Sequence, residues 1–215
     1  MPLPPLSHVL ASRLIVTRSG RATVTRPALA ADLAAVNAMH GRCSSDTIYS
    51  RYQTVRSALR EREWAQLTRA GHSVSWVTTA AGAPDAVVAV THLLRGDDER
   101  CGELALLVED DWQNAGLGTG LTRWALAQAA GLGMSTVRVL TSPSNRRMNA
   151  ICRALGARPA PRGGPDTAES RGHDLLQLEL PVPGASKEDG REAVAASHLA
   201  SSCRTDRNGD VRGTN

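Results

Sequence analysis

The stretch that decides the fold is Glu103-Leu-Ala-Leu-Leu-Val-Glu-Asp-Asp-Trp-Gln-Asn-Ala-Gly-Leu-Gly-Thr-Gly120, an apolar run that leads into a glycine-rich loop. Gly116, Gly118 and Gly120 stand where the pattern predicts that a strand ends and a helix begins. The first amides of a helix have no intrahelical acceptor, and the positive end of the helix dipole lies beside them. Glycine also lets the backbone approach a phosphate without a Cβ in between. The stretch therefore predicts an anion site.

The spacing of these glycines disfavours two common nucleotide loops. A nucleoside-triphosphate loop of the form G-x-x-x-x-G-K-[ST] needs a lysine directly after its glycine, and no lysine follows a glycine in this chain. A dinucleotide loop of the form G-x-G-x-x-G needs glycine at the position of Leu121. ATP, GTP and NAD are therefore not expected. A tight turn that binds no ligand is the alternative that the glycines leave open.

Strand and helix patterns alternate on both sides of the loop. We predict strands at 21–26, 73–79, 86–94, 102–108, 136–140 and 175–180, and helices at 28–40, 46–70, 116–130 and 145–155. Turn residues between 73–79 and 86–94 predict an antiparallel hairpin. A crossover helix joins 102–108 to 136–140, and so these two strands are expected to be parallel. The pattern predicts an α/β (α+β) mixed sheet, antiparallel at first and parallel later.

Length and composition favour one domain with one core. The chain has 215 residues, 41% of them hydrophobic, and a formal net charge of +4 that is spread without a basic block. Nucleic acid is therefore not expected as a partner. No apolar run reaches the roughly 18 to 20 residues of a membrane-spanning helix, so no membrane association is expected. The cysteines are far apart, which predicts neither a zinc site nor a dithiol motif and fits a reducing cytoplasm: Cys43, Cys101, Cys152 and Cys203.

The two ends of the chain differ in composition from its middle. Residues 1–20 are interrupted by prolines, and we expect a poorly ordered leader whose only anchor is the short apolar stretch 14–16. Residues 182–215 consist mainly of small, polar and charged side chains, which bury too little apolar surface to offset the entropy of ordering. We therefore predict a disordered tail there and a single folded domain at 21–181.

The loop also carries a family resemblance. Gln113-x-x-Gly116-x-Gly118 resembles the acetyl-CoA motif Q/R-x-x-G-x-G/A of the GNAT family of N-acetyltransferases. Three neighbouring elements resemble the fourth strand, the fifth strand and the following helix of that family, at 103–108, 136–140 and 145–156. The resemblance implies a GNAT-like fold, in which antiparallel N-terminal strands precede two parallel strands, the fourth and fifth, that splay apart around the cofactor.

The resemblance further implies that acetyl-CoA is the cosubstrate, and it names the residues that would bind it. Backbone amides of the loop would bind the diphosphate, at Gln113, Asn114, Ala115, Gly116, Leu117, Gly118 and Thr119. Main-chain groups of Leu106, Leu107 and Val108 would pair with the pantetheine arm. Asn145 matches an asparagine that often contacts the cofactor in the family. No metal is expected.

Acetyl transfer to an amine needs a base, because an alkylamine has an ordinary pKa near 10.4 and is protonated at neutral pH. Glu103 is the candidate, since it begins an otherwise apolar strand and shares a face with Ala105 and Leu107. By resemblance, a glutamate ten residues before the motif glutamine serves as base in related protein acetyltransferases, often through a water molecule. The alternative is that Glu103 is a solvated charge at the start of the strand.

Position 152 departs from the family pattern. Many GNAT enzymes use a tyrosine four residues before the closing glycine, here Gly156, to protonate the leaving thiolate, and this chain has Cys152 instead. An unassisted leaving thiolate, an acid elsewhere in the chain and an acetylated cysteine all stay open. Ala157 also replaces the phenylalanine that closes the family motif.

We expect structural roles for three consecutive acids and for the histidines. The consecutive acids Glu109, Asp110 and Asp111 are expected to form a solvated turn rather than a metal site, because neighbouring side chains point in different directions. For four histidines we expect a structural, hydrogen-bonded role, and a place at the acceptor site is the alternative: His40, His72, His92 and His173.

The resemblance implies that the acceptor is a primary amine, on a small molecule or on a protein lysine. The segment Ser44-x-x-Thr47-Ile48-Tyr49-Ser50-Arg51-Tyr52 resembles Ser-x-x-Ser-x-Tyr-x-Arg-Phe of bacterial protein-lysine acetyltransferases, which favours a lysine. The spacing of Tyr49 and Tyr52 is equally typical of core-facing residues on an amphipathic helix. Two alternatives remain: a non-catalytic acyl-CoA-binding or sensor module, and a protein that forms a homodimer through its last strand.

Overall fold

A computed structural model of the chain describes residues 12–69, 71, 73–96, 98–160 and 175–185. The chain divides into two units, Met1–Pro183 and Gly184–Asn215, and the second is described only at residues 184–185. The predictions for the start of the leader, for the tail after residue 185 and for His72, His173 and Cys203 lie outside the described residues. The domain boundaries stay predictions.

Within the described residues, eight strands form one mixed sheet. The strands are β1 (Arg13–Val16), β2 (Ala22–Pro27), β3 (Ser73–Ala80), β4 (Ala83–Arg95), β5 (Cys101–Val108), β6 (Thr136–Thr141), β7 (Arg158–Pro159) and β8 (Leu176–Pro181). Their order across the sheet is β1-β2-β3-β4-β5-β6-β8-β7. Neighbouring strands are antiparallel except β5 and β6, which are parallel. The predicted mixed sheet, with its hairpin and its later parallel pair, is confirmed.

Helices cover both faces of this sheet. They are α1 (Leu33–Arg42), α2 (Ser45–Tyr52), α3 (Glu61–Leu67), α4 (Leu117–Gly131) and α5 (Arg146–Ala154), with short 3-10 turns at Ala30–Asp32 and Asp110–Trp112. Helices α1, α2 and α3 pack on β4, β5 and β3 respectively, and α4 packs on β5, β4 and β1. The crossover helix α4 thus lies between the two parallel strands in sequence, as the pattern predicted.

Three apolar clusters form the core among the described residues, and two of them show how side chains divide between the faces of the sheet. Trp76 and Leu104 pack with side chains of α4, whereas Val77 and Leu107 pack with α1 and Trp64 of α3. Side chains alternate along a strand, and so Glu103 lies on the same face of β5 as Leu107. Glu103 therefore faces the side of the sheet that carries α1, α2 and α3.

Strands β5 and β6 pair only at one end. Their ladder joins Cys101 to Thr136, Gly102 to Val137 and Glu103 to Arg138, and it ends there. On its other edge, β5 stays paired with β4 from residue 102 to residue 108. The strands therefore separate directly after Glu103, and the main chain of 104–108 is unpaired by β6 on that edge.

The prediction of one helix at 46–70 is wrong. Helix α2 ends at Tyr52 because Gln53 adopts a left-handed conformation, with φ 54°. Residues 53–60 then connect α2 to α3. Ser44 caps α2, since its side chain accepts a hydrogen bond from the amide of Thr47.

Strand β1 lies within the predicted leader, at the stretch expected to anchor it, and the order of the rest of the leader stays a prediction. The strand lies at the apolar stretch 14–16 and pairs with β2 along its whole length. Leu14 and Val16 are exposed, and only Ile15 is partly buried. The strand is held by backbone pairing more than by apolar burial, which explains why hydrophobic patterning did not predict it.

Two further expectations concern surfaces. No helix in the described part of the chain is long and apolar enough to cross a membrane. Strand β8 lies between β6 and β7, with Leu178 opposite Val139 on one side and opposite Pro159 on the other. Strand β7 therefore covers β8 at residues 178–179, and a homodimer formed through the last strand stays a prediction.

Candidate active site

A cavity of about 1150 Å³ opens where β5 and β6 separate. It runs along the far half of β5, past the glycine loop, to the C-terminal half of α2 and the start of α5. Its walls include the following predicted site residues: Glu103, Leu106, Leu107, Val108, Gln113, Asn114, Ala115, Gly116, Gly118, Thr119 and Asn145. Leu117 is fully buried beneath the loop and does not line it. The structure thus brings all the predicted site residues except Leu117 to one cavity.

The glycine loop presents a row of backbone amides to this cavity. Asn114 and Gly116 both have positive φ, 59° and 88°, and Gly116 is the N-cap of α4. Among the described residues, no hydrogen-bond acceptor pairs with the amides of residues 114–119. Unpaired amides at the positive end of a helix dipole form an anion site. A diphosphate is the size of anion that several consecutive amides match.

Gln113 lines the cavity, and its side chain also stabilises the loop through hydrogen bonds. Its Nε2 donates to the carbonyl oxygen of Val108 at 2.8 Å and to Oγ1 of Thr47 at 3.0 Å. Its Oε1 is enclosed without a partner among the described residues. Gln113 therefore ties the end of β5 and helix α2 to the loop whose amides face the cavity.

The unpaired edge of β5 supplies main-chain groups to the same cavity. The side chains of Leu106 and Ile151 lie over Gly118, where an added Cβ would be 3.7 Å from Cδ2 of Leu106 and 3.1 Å from Cδ1 of Ile151. An extended ligand that enters between β5 and β6 meets backbone donors and acceptors spaced as in a strand. This is the position that the resemblance implied for a pantetheine arm.

Asn145 lies at the far wall, where it begins α5. Its Oδ1 accepts a hydrogen bond from the amide of Met148 at 3.1 Å, so this oxygen caps the helix. Ser142 and Ser144 form the tight turn before it, with their hydroxyl oxygens 2.7 Å apart. The side-chain amide nitrogen of Asn145 remains as the donor that this residue can direct to a ligand.

Glu103 lies at the apex of the opening, where the two strands still pair. It is partly buried and lines the cavity together with Arg51 of α2. Burial lowers the pKa of the Arg51 guanidinium, and the negative charge of Glu103 acts in the opposite direction. The Nε of Arg51 is enclosed and has no partner among the described residues, while its guanidinium lies over the Tyr52 ring, 4.7 Å from the centroid. One end of the cavity therefore holds a carboxylate beside a guanidinium.

Cys152 lies outside the cavity. Its side chain is fully buried in the apolar cluster between the sheet and α4, and it does not line the cavity. Burial raises the pKa of its thiol to about 11, so little thiolate forms at neutral pH. Neither a proton donor nor a nucleophile is therefore supplied from position 152.

The acids that follow β5 are not a solvated turn, which corrects that prediction for two of the three. Glu109 is buried and accepts two hydrogen bonds from Arg42, at 3.0 and 2.8 Å. Asp110 accepts hydrogen bonds from the amide and hydroxyl of Ser44 and from the hydroxyl of Thr47. Burial opposes ionisation of Asp110, yet these hydrogen bonds outweigh it and lower its pKa. Both acids hold α1 and α2 against the loop.

The two described histidines have structural partners. His40 is bonded through Nδ1 to the carbonyl oxygen of Val36 and through Nε2 to the hydroxyl of Tyr52, and burial lowers its pKa. His92 is fully buried, with Nδ1 2.7 Å from Oγ of Ser75, and burial lowers its pKa to about 3. Neither lines the cavity.

Sequence reasoning missed the basic residues around the cavity. Arg18, Arg51, Arg123 and Arg147 line it, and Glu103 is the one acidic side chain among its described lining residues. Arg147 also donates from Nε to Oδ1 of Asn114 at 3.3 Å. These arginines lie in a hairpin turn and on three different helices, so the sequence carried no signal that singled them out. Only the fold brings them to one opening.

Both the sequence and the fold of this chain are similar to those of known proteins. The profile of the acetyltransferase (GNAT) domain family matches residues 23–158. Acetyltransferase Pat of Mycolicibacterium smegmatis is 30% identical over 146 residues, which cover 66% of this chain and 43% of the relative. The chain therefore spans less than half the length of this curated relative.

Solved structures share the fold at lower identity. The GNAT domain of S. lividans PAT matches with a TM-score of 0.69 at 18% identity, over 81% of this chain and 98% of that one. Mycobacterium smegmatis RimJ in complex with CoA-disulfide matches with a TM-score of 0.61 at 14% identity, over 86% and 94% of the two chains. The family profile, in contrast, matches the sequence itself across more than half of its length. The chain belongs to the GNAT acetyltransferase family.

Proposed function

We propose that the protein transfers an acetyl group from acetyl-CoA to a primary amine, with Glu103 as the general base. Family membership supports the reaction class. The observation that carries the proposal is the separation of β5 from β6 directly after Glu103, which opens one cavity between the glycine loop and this carboxylate. The cavity thus joins an anion site to a base.

The residues along the cavity fit the cosubstrate. The amides of 114–119 would hold the diphosphate, the free edge of β5 at 106–108 would pair with the pantetheine arm, and Asn145 would donate from its side-chain amide. Acetyl-CoA, when bound, supplies a thioester whose carbonyl carbon is open to attack by an uncharged amine. The residues of this chain orient that arm and keep the acyl end beside β5.

Glu103 would remove the proton that keeps the acceptor amine unreactive. A free alkylamine is almost fully protonated at pH 7, and a positioned carboxylate that takes this proton is typically responsible for about 10²- to 10⁴-fold in rate. Glu103 faces the side of β5 on which α2 lies, so the amine would approach between α2 and this strand. The leaving thiolate would receive its proton from solvent, since Cys152 is buried elsewhere.

A protein lysine is the acceptor that we favour. Residues 50–52 of the segment that resembles protein-lysine acetyltransferases line the cavity, as does Glu103. The similarity to acetyltransferase Pat supports the same class. Tyr49 is exposed rather than core-facing, whereas Tyr52 packs against His40. A small polyamine or another free amine is the competing outcome that an acceptor screen distinguishes.

The experiment combines binding with turnover. Calorimetric titration with acetyl-CoA tests the anion site, and release of free CoA is then followed with lysine peptides, polyamines and a dialysed cell extract. We expect binding, acetyl-CoA-dependent CoA release, and acetyl-lysine in the extract proteins by mass spectrometry. A chain that ignores acetyl-CoA at millimolar concentration would refute the proposal.

A non-catalytic acyl-CoA-binding module is the second candidate. It is favoured by Cys152, which stands buried where many family members place the tyrosine that protonates the thiolate. The same experiment separates the two functions. Tight binding of acetyl-CoA with no CoA release for any acceptor would support the module, and acceptor-dependent release would exclude it.

A further inference from the structure

The hairpin formed by β1 and β2 touches the glycine loop at its tip. The amide of Arg18, in the turn of this hairpin, donates to the carbonyl oxygen of Ala115 at 2.8 Å. A Cβ added to Gly116 would lie 3.2 Å from Nε and 3.4 Å from Cγ of Arg18. The Arg18 side chain therefore crosses the start of α4, beside the amides that face the cavity.

Two more contacts fix the hairpin along the same loop. A Cβ added to Gly120 would lie 3.1 Å from Cγ2 of Ile15, so β1 packs closely on the first turn of α4. Arg21 donates to the carbonyl oxygen of Asp111 at 2.9 Å, and its guanidinium lies 3.4 Å from the centroid of the Trp112 ring. The hairpin is thus held before, at and after the anion site, which positions Arg18 without any closing movement.

The ion pairs formed between described residues do not include Arg18, which lines the cavity. Arg123 and Arg147 line the same opening. Guanidinium groups bind phosphate oxygens through paired, charge-assisted hydrogen bonds. The anion that the loop amides would hold therefore lies close to a guanidinium that forms no ion pair with the described residues.

We propose that Arg18 binds the diphosphate of coenzyme A, so that the β1–β2 hairpin completes the cofactor site beside the loop amides. The assignment rests on the proposed function. It adds a side chain from a segment that precedes the family match, which begins at residue 23. The diphosphate is chosen over the 3′-phosphate because Arg18 lies against Gly116, the N-cap of α4, where the amides converge.

The test is calorimetric titration of four proteins with three ligands. The proteins are the wild type, Arg18→Gln, Arg18→Lys and the control Arg13→Gln, which removes the same charge from an exposed position of β1 that does not line the cavity. The ligands are CoA, dephospho-CoA, which keeps the diphosphate but lacks the 3′-phosphate, and pantetheine, which has no phosphate. Thermal unfolding of each variant is measured alongside.

We expect Arg18→Gln to weaken CoA and dephospho-CoA by the same factor, about 5- to 20-fold at low ionic strength, and to leave pantetheine unchanged. Arg18→Lys should recover part of the loss, and Arg13→Gln should bind like the wild type. Added salt should narrow the difference between Arg18→Gln and the wild type.

Three results would overturn the assignment. Equal affinity of Arg18→Gln and the wild type for CoA would show that the guanidinium does not bind the cofactor. A loss seen with CoA and absent with dephospho-CoA would place Arg18 on the 3′-phosphate instead. A wild-type chain that binds none of the three ligands would overturn the proposed function itself, which separates that failure from the other two.

Discussion

Gln113 donates a hydrogen bond from Nε2 to Oγ1 of Thr47 at 3.0 Å, and this bond joins the glycine loop to helix α2. The same Thr47 hydroxyl donates to Oδ1 of Asp110 at 2.8 Å. The Gln113 amide also donates to the carbonyl oxygen of Val108. The glycine loop and helix α2, which both line the cavity, are therefore held by one polar network.

We predict that Thr47→Val destabilises the protein and weakens CoA binding together. The substitution removes the Thr47 hydroxyl from Asp110 and Gln113 while it keeps the shape of the side chain. Buried polar groups that lose a partner cost about 1–3 kcal/mol each, so the free energy of unfolding should fall by about 2 kcal/mol. Urea denaturation measures this. Thr54→Val, at an exposed position, is the control and should stay within about 0.5 kcal/mol of the wild type. A Thr47→Val protein as stable as this control would contradict the role of the network.

Gly116→Ala should weaken CoA binding more than its effect on stability explains. Gly116 has φ 88°, which costs an L-residue about 1–2 kcal/mol, and the new methyl group would also press on Arg18. Gly131→Ala at the end of the same helix meets nothing within 4 Å and provides the control. Calorimetry and thermal unfolding of both variants check the prediction. Unchanged affinity in Gly116→Ala would contradict an anion site at this loop.

Cys152→Ala should keep turnover and lose some stability. The thiol is fully buried away from the cavity, so its removal leaves a small void that costs about 1–2 kcal/mol and does not touch the reaction. Because burial raises the pKa of Cys152 to about 11, iodoacetamide at pH 8 should leave it unlabelled in the folded protein. Cys101→Ala, at another buried cysteine, serves for comparison. A folded Cys152→Ala protein that binds CoA but has lost turnover would show that the thiol is catalytic.

Stability should fall as the pH drops below about 6.5, in part through His92. Burial, followed by the charges of Arg51 and His40, lowers the pKa of His92 to about 3 in the folded protein. Between these two pKa values the unfolded chain binds a proton that the folded chain does not, so acid favours unfolding by at most about 1.4 kcal/mol per pH unit. The stabilisation is complete above the unfolded pKa and is lost as the pH falls toward 3. Urea titrations from pH 7.5 to 4.5 test this, and His92→Gln should reduce the slope. An equal slope in both proteins would exclude His92 as its source.

The sequence was sufficient for the elements whose patterns are local. Gly116 and Gly118 marked the junction of strand and helix, and the crossover from β5 to β6 followed from the length of α4. Glu103 followed from alternation along an apolar strand, and the structure places it at the apex of the cavity. Its catalytic role stays a proposal that the measurement below tests.

The features that the sequence did not predict depend on contacts between distant residues. The break after α2 depends on the left-handed conformation of Gln53, and a glutamine there carries no turn signal. The sequence predicts a solvated Asp110, because its hydrogen bonds with Ser44 and Thr47 form only when α2 packs beside it in the fold. Arg18 lies in an exposed turn, and only the pairing of β1 with β2 brings it to the glycine loop. Such long-range relationships leave no periodic trace in one sequence.

The most direct test of the account compares Glu103→Gln with Glu99→Gln. The second variant removes the same charge four residues away, at an exposed position that does not line the cavity. With a lysine acceptor at pH 7.5, Glu103→Gln should lower kcat/KM by about 10²-fold or more while the Kd for acetyl-CoA stays within twofold of the wild type, and Glu99→Gln should match the wild type in both. Full turnover by a Glu103→Gln protein with intact acetyl-CoA binding would contradict the central claim that Glu103 is the base at the apex of this cavity.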